Sequence, residues 1–126
     1  MTNPYKGRTG LDRLLHATRN SLAGIRTAWR EESAFRQEVV LAMALAPAAL
    51  WLGTSWAERC LLWGSLVLVL IVELLNSGIE AAIDRVSFEQ HDLSAKAKDV
   101  ASAAVFLALA LCGLVWLTAL FSTFER

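Results

Sequence analysis

The sequence has few charged residues, few cysteines and no phosphate-binding loop, and each absence excludes a class of protein. Only 19% of its 126 residues are charged, and its 56% of hydrophobic residues exceeds the roughly 45–50% that is usual in soluble domains. The two cysteines, Cys60 and Cys112, lie far apart inside apolar runs, which excludes a disulfide framework, a CxxC redox motif and a zinc-ligand spacing. Neither GxxxxGK nor GxGxxG occurs, so a standard nucleotide-binding fold is excluded.

Long apolar runs are what the sequence has instead, and three of them predict membrane-spanning helices. A span needs about 20 largely apolar residues to cross roughly 30 Å of hydrocarbon. The first run contains Pro47, which should kink its helix rather than end it. We expect one domain, residues 1–126, with a surface helix at about 8–30 and transmembrane helices at about 34–57, 59–86 and 92–123.

The basic residues predict how these helices are oriented. The segment before the first run contains seven of the twelve basic residues, and the loop between the second and third runs contains Arg85, Lys96 and Lys98. The turn between the first two runs and the C-terminus contain one arginine each. Because basic loops stay on the cytoplasmic side, we expect a cytoplasmic N-terminus and an external C-terminus.

The segment before the first run has a helical pattern of its own. Residues at helical spacing, most of them apolar, alternate with arginines there, and this indicates an amphipathic helix on the cytoplasmic membrane surface. Such a helix serves either as a simple anchor or as a lid over a site at the interface, and both interpretations stay open. The residues that form this pattern are Leu11, Leu14, Leu15, Thr18, Leu22, Ile25 and Trp29.

The second run continues into the stretch VELLNSGIEAAIDR, residues 72–85, which carries three carboxylates. On a helix, Glu80 and Asp84 lie within about 20° of Glu73, with Asn76 close to the same face. A carboxylate near the bilayer centre costs about 2.5–3.5 kcal/mol on insertion scales, so this face must contact protein, metal or water. Because three spans do not enclose such a face, its burial predicts an oligomer.

The depth of these groups limits what they can do. Glu80 should lie near the cytoplasmic surface and Glu73 roughly 10 Å deeper, at the level of a lipid hydroxyl. Carboxylates and an amide suit Mg²⁺, and the lysines of the following loop suit phosphate. The residues alone leave three interpretations open: phosphoryl transfer at a membrane surface, a non-enzymatic structural or assembly protein with ion-paired helices, and ion-coupled transport.

The order of three motifs, EESAFRQE, ELLNSGIEAAIDR and HDLSAKAKDVASAA, resembles the small prokaryotic diacylglycerol kinase family over nearly the whole chain. Undecaprenol kinases share this core, and they remain the alternative within the family. One departure is Gly78, where the family pattern has alanine. The resemblance implies an all-α integral membrane protein, with three transmembrane helices after an amphipathic surface helix, assembled as a homotrimer with shared sites in the bacterial inner membrane.

The resemblance also implies a reaction and its residues: Mg²⁺ with ATP as donor, diacylglycerol as acceptor, phosphatidic acid as product, and no nucleic acid partner. Glu73 would be the general base, Asn76 would orient Glu73 or the γ-phosphate, and Glu32 and Glu80 would hold the metal. The implied ATP contacts are Arg13, Asn20, Glu32, Glu80, Glu89, His91, Lys98 and Asp99. The implied lipid contacts are Trp29, Phe35, Arg36, Gln37, Glu38, Glu73 and Ser102.

Overall fold

The computed structural model describes residues 9–86 and 91–126, and the regular structure of these residues is entirely helical. Its helices are α1 (Gly10–Glu31), α2 (Ser33–Leu52), α3 (Trp56–Val86) and α4 (Asp92–Phe124). The last three are long and apolar enough to cross a membrane. The prediction of an all-α chain with three long apolar helices is therefore confirmed.

The turn between α2 and α3 is tight and depends on Gly53. A Cβ at this position would lie 2.5 Å from the Arg59 Cγ and 3.0 Å from the Ala49 carbonyl oxygen, so no larger residue fits without movement. The Glu58 carboxylate accepts hydrogen bonds from the Thr54 backbone N–H at 2.7 Å and from its hydroxyl at 2.5 Å. These bonds close the turn, and α2 ends at Leu52, earlier than the position of about 57 expected from the apolar run alone.

One end of the bundle, which we call the tryptophan end, is formed by Leu52, Leu62, Trp63 and Trp116. Leu62 is 1% exposed and packs with Leu52 in the core, and the two indole rings cover this core. The Trp63 Nε1–H donates to a carbonyl of α2 at 3.0 Å, and the Trp116 Nε1–H donates to the Leu62 carbonyl at 3.2 Å. The indoles thus tie α2, α3 and α4 together.

The other end, which we call the carboxylate end, is formed by Glu73, Glu80 and Asp84 of α3. A single buried stripe on α3 joins the two ends, because its members follow at helical spacing and face the other helices. The stripe consists of Leu62, Ser65, Leu66, Val69 and Glu73. Elsewhere large apolar side chains are exposed, for example Phe106 at 71%, as expected of helices that contact lipid or further chains.

Candidate active site

Glu73 is the last residue of the buried stripe and is 8% exposed. Its carboxyl group faces that of Glu38, which projects from α2. The Oε2 atom of Glu38 is buried and has no hydrogen-bond partner among the described residues. Because burying two facing carboxyl groups is costly, this pair is a candidate functional feature rather than ordinary core packing.

The burial of Glu73 corrects one argument made from the sequence. The sequence predicted that only an oligomer would bury the acidic face, and for Glu73 this is wrong, whereas the oligomer itself stays a prediction. The stripe that packs α3 into the bundle extends as far as Glu73, so one chain is sufficient. Glu80 and Asp84, farther along the helix, remain half-buried in the single chain.

Asn76 lies between the buried and the half-buried carboxylates. Its Nδ2 donates to the Glu80 Oε1 at 3.4 Å, a long and weak hydrogen bond. Its Oδ1 is buried and has no partner among residues 9–86 and 91–126. The amide therefore contacts Glu80 rather than Glu73, and its free oxygen is available to a donor or to a hard cation.

A groove of about 530 Å³ lies between α1 and α3, on one side of the acidic face. Glu32 lines it from the junction of α1 and α2, and Ser77 and Gly78 line it from α3. A Cβ at Gly78 would meet nothing within 4 Å, so the glycine leaves this wall open. The groove beside this departure from the family pattern could not be predicted, because it depends on how α1 packs against α3.

A second groove, of about 670 Å³, lies between α3 and α4. Asn76 and Ile79 line it from α3, and Lys96 and Ala101 line it from α4. Viewed along the axis of α3, the α3 residues that line the first groove lie about 40–140° around the helix from Glu73. Those that line the second groove lie about 200–300° from it in the same direction. The acidic face therefore lies between the two grooves, with Ser77 beside the first groove and Asn76 beside the second.

The predicted metal ligands come from different parts of the fold, because Glu32 borders the first groove whereas Glu80 bonds to Asn76. The described part of the chain contains no cluster of three or more His, Cys, Asp or Glu side chains placed to hold a metal ion. Mg²⁺ that arrives with a nucleotide takes only one or two carboxylates and otherwise uses phosphate and water oxygens. The Glu80 carboxylate and the unpartnered Asn76 Oδ1 are oxygen donors of the kind that such an ion requires.

Two of the predicted nucleotide residues, Lys98 and His91, have hydrogen-bond partners for their side chains within the chain. The Lys98 Nζ lies 2.7 Å from the Asp84 Oδ1, which joins α4 to α3. The His91 Nδ1 accepts a hydrogen bond from the Leu93 N–H at 3.1 Å and so caps α4. Glu89 lies outside the described residues. Asp84 was absent from the predicted set, although helical spacing had placed it on the acidic face.

Two of the predicted lipid residues have structural roles. Phe35 is 4% exposed and packs inside the chain. The Arg36 Nη1 donates to the carbonyls of Trp29 at 2.8 Å and of Arg30 at 2.9 Å. These charge-assisted bonds satisfy the last carbonyls of α1 and hold the end of α1 against α2. The remaining predicted positions, all exposed, are Arg13, Asn20, Trp29, Gln37, Asp99 and Ser102.

Comparison with known proteins gives one consistent result. Residues 19–120 match the family model described as prokaryotic diacylglycerol kinase. The diacylglycerol kinase of Pseudomonas aeruginosa is 53% identical over 118 residues, which cover 94% of this chain and 96% of that protein. That of Escherichia coli strain K12 is 45% identical over 116 residues, 92% of this chain and 95% of that protein.

A more distant relative gives the same result. The diacylglycerol kinase of Helicobacter pylori is 43% identical over 111 residues, which cover 85% of this chain and 84% of that protein. These matches extend over nearly the full length of both partners and confirm the resemblance that the three sequence motifs carried. The chain belongs to the prokaryotic diacylglycerol kinase family.

Proposed function

We propose that this chain is a membrane diacylglycerol kinase, which transfers the γ-phosphate of ATP to the hydroxyl of diacylglycerol and forms phosphatidic acid. Membership of the family and the names of the relatives support the reaction. The single observation that carries it within this chain is Glu73, a carboxyl group 8% exposed on a helix long enough to cross a membrane. A buried acid at that position is hard to explain as packing alone.

In this proposal Glu73 is the general base. The lipid hydroxyl oxygen forms a bond to the γ-phosphorus, the bond from that phosphorus to the β,γ-bridging oxygen breaks, and ADP leaves. The hydroxyl proton passes to the Glu73 carboxylate. Phosphoryl transfer has a loose transition state that needs little early deprotonation, so a positioned carboxylate is a sufficient base. Glu38, which faces Glu73, limits the directions in which that carboxylate can point.

The nucleotide site in this proposal is built around Glu80. Mg²⁺ bound with ATP would neutralise charge on the phosphate oxygens, and Glu80 with Glu32 would hold it. Asn76 contacts Glu80 through the weak 3.4 Å hydrogen bond, and its buried Oδ1, which has no partner among the described residues, belongs to the same amide. Lys98 would contact the phosphates as a point charge. We assign further nucleotide contacts to Arg13, Asn20, Glu89, His91 and Asp99, as the family likeness implies.

We assign the lipid site to the α1–α2 junction and to Ser102 of α4. Trp29 is 42% exposed and Gln37 is exposed, so both are available to a lipid. Phe35 and Arg36 are buried or engaged with the backbone, and we assign them to the wall beneath the lipid rather than to direct contact. Glu38 and Ser102 would lie near the lipid head group.

The placement in the membrane follows the distribution of basic residues and the apolar surface. We propose that the chain lies in the bacterial inner membrane with its N-terminus and carboxylate end at the cytoplasmic side, and with α1 as an amphipathic surface helix. The exposed leucines of α1, Leu11 at 72% and Leu14 at 62%, suit contact with acyl chains. Assembly as a homotrimer would cover part of the apolar surface that the single chain leaves exposed.

The test is transfer of radiolabelled γ-phosphate by the purified chain in mixed micelles with Mg²⁺ and either diacylglycerol or a polyprenol. We expect labelled lipid and an equal amount of ADP with diacylglycerol, and neither product when ATP is omitted. Faster labelling of the polyprenol would replace the proposed substrate by that of an undecaprenol kinase. No labelling of either lipid would contradict the proposal and favour an assembly protein, and solute flux in sealed vesicles without ATP would favour a transporter.

A further inference from the structure

The ion pair between Lys98 and Asp84 is the feature of the carboxylate end for which the reaction described above has no use. The two atoms are 2.7 Å apart, and they join α4 to the end of α3. Among the described residues the other ion pair is His16 with Asp12, which lie four positions apart on α1, so the Lys98 pair is the one that links two helices. It lies one helical turn beyond Glu80.

Stability of the fold does not account for this pair. Its side chains are 42% and 48% exposed, and ion pairs so open to solvent contribute little to folding. α3 and α4 already pack along their length down to the tryptophan end, where the Trp116 indole bonds to the Leu62 carbonyl. The pair is therefore not needed to hold the two helices together, and its effect is to order a side chain.

The side chain that it fixes is the lysine. A lysine ammonium is a point charge on a flexible four-carbon stem, and ordering that stem when a ligand binds is unfavourable. Asp84 accepts from Nζ, and the Glu80 carboxylate also attracts the same ammonium. The lysine is thereby held beside the group assigned to the metal, before any nucleotide is present.

The ammonium can meet Asp84 and a phosphate at the same time. It has three N–H donors and no acceptor, and one donor is used by Asp84. Two donors remain for phosphate oxygens approaching between Glu80 and α4. A carboxylate that orders the stem and leaves these donors free lowers the cost of binding, which is how preorganisation raises affinity.

We propose that Asp84 is a positioning residue that holds Lys98 in place for the phosphates of ATP. This inference rests on the proposed function, because it assumes that Lys98 contacts the nucleotide. The alternative is that Asp84 competes with the phosphates for the Lys98 ammonium. In that case Asp84 would weaken ATP binding and its removal would strengthen it, which is the opposite of what positioning predicts.

The experiment measures equilibrium binding of Mg²⁺·ATP to the full chain in detergent micelles without lipid acceptor. Asp84→Asn should raise the Kd for ATP by about threefold to fivefold, the size expected when a half-exposed ion pair is lost. Asp84→Glu should restore part of this loss. Asp92→Asn, an exposed acid in the first turn of α4, is the matched control and should leave the Kd unchanged.

A double-mutant cycle separates positioning from a general effect of charge. In the Lys98→Met background, Asp84→Asn should have no further effect on the Kd, because no ammonium remains to be positioned. Thermal midpoints of all variants, measured alongside, should be equal, and the KM for the lipid should not change. An unchanged or lower Kd in Asp84→Asn, or an equal loss in the Lys98→Met background, would overturn the inference.

The failure of this inference is distinguishable from failure of the proposed function. If the unaltered chain phosphorylates diacylglycerol while Asp84→Asn binds ATP as tightly, only the role of Asp84 is overturned. If the chain binds ATP but phosphorylates no lipid, the proposed function fails, and the binding cycle still tests Asp84. A chain that binds no ATP would overturn both.

Discussion

At the tryptophan end the indole N–H groups have hydrogen-bond partners, whereas at the carboxylate end some buried polar atoms have none within the described part of the chain. The indoles of Trp63 and Trp116 both donate to carbonyls of neighbouring helices. At the other end, the Glu38 Oε2 and the Asn76 Oδ1 are buried without partners among the described residues. Polar groups that the fold satisfies contribute to stability, and those that it leaves unsatisfied are available to a ligand.

The two ends share one helix, which makes their difference informative. The buried stripe of α3 begins with Leu62 and ends with Glu73, so a single packing arrangement positions both. A change in the stripe at Leu62 should therefore act on folding, and a change at Glu73 should act on the reaction. The following predictions test that separation, in order of decreasing effect.

The largest effect is expected for Glu73→Gln. Loss of a general base typically lowers the rate by about 10²–10⁴-fold, and we expect phosphorylation of the lipid to fall by that amount. Binding of Mg²⁺·ATP should be largely unchanged, because Glu73 lies about two helical turns below Glu80. Labelled-phosphate transfer and ATP binding check this, with the exposed Glu125→Gln as control. Equal rates in the variant and the unaltered chain would remove Glu73 as the base.

The next largest effect is expected for Leu62→Ala at the tryptophan end. Leu62 is 1% exposed, and its truncation should leave a cavity that destabilises the fold by about 2–4 kcal/mol. Leu61→Ala is the matched control, because Leu61 is 64% exposed and does not belong to the core cluster. Unfolding in a denaturing detergent would measure both. A similar loss in the two variants would show that this end is not the stable core of the bundle.

A smaller effect is expected for Glu80→Gln at the carboxylate end. The amide keeps the shape of the side chain but is a poorer ligand for a hard cation, so the Mg²⁺ concentration needed for half-maximal activity should rise by about tenfold. Glu32→Gln should act in the same direction. Magnesium titration of the transfer rate measures this. An unchanged titration curve in Glu80→Gln would contradict the metal assignment.

The smallest effect is expected for Trp116→Phe. This change removes the 3.2 Å hydrogen bond to the Leu62 carbonyl but keeps an aromatic ring, and it should cost about 1 kcal/mol of stability without changing the KM for ATP. Trp51→Phe, at a residue that is 75% exposed, is the control and should have no effect. The midpoint of unfolding measures the difference between the two variants. A loss of activity without a loss of stability would contradict the assignment of the tryptophan end to stability rather than to the reaction.

The sequence was sufficient for the helices because their signals are local. A span is recognised by its length and apolar content, and the acidic face of α3 follows from helical spacing. The carboxylates of Glu73, Glu80 and Asp84 do lie on one continuous helix, Trp56–Val86. The family could also be predicted, because its motifs are contiguous stretches of sequence.

The contacts between helices could not be predicted, because they depend on how α2, α3 and α4 pack. Nothing in the sequence pairs Glu38 with Glu73, and the pairing exists only through the register of α2 against α3. In the same way, the hydrogen bonds by which Arg36 holds the end of α1 depend on how α1 and α2 meet. The choice of Lys98 rather than Arg85 as the partner of Asp84 depended on the approach of α4.

The most direct test of Glu73 as the general base compares Glu73→Gln with Leu62→Ala in one assay, with the rate of phosphate transfer to diacylglycerol expressed per folded molecule. We expect Leu62→Ala, measured where it is still folded, to transfer phosphate at nearly the rate of the unaltered chain, whereas Glu73→Gln should be folded and transfer almost none. Equal losses in the two variants, or turnover retained in Glu73→Gln, would contradict it.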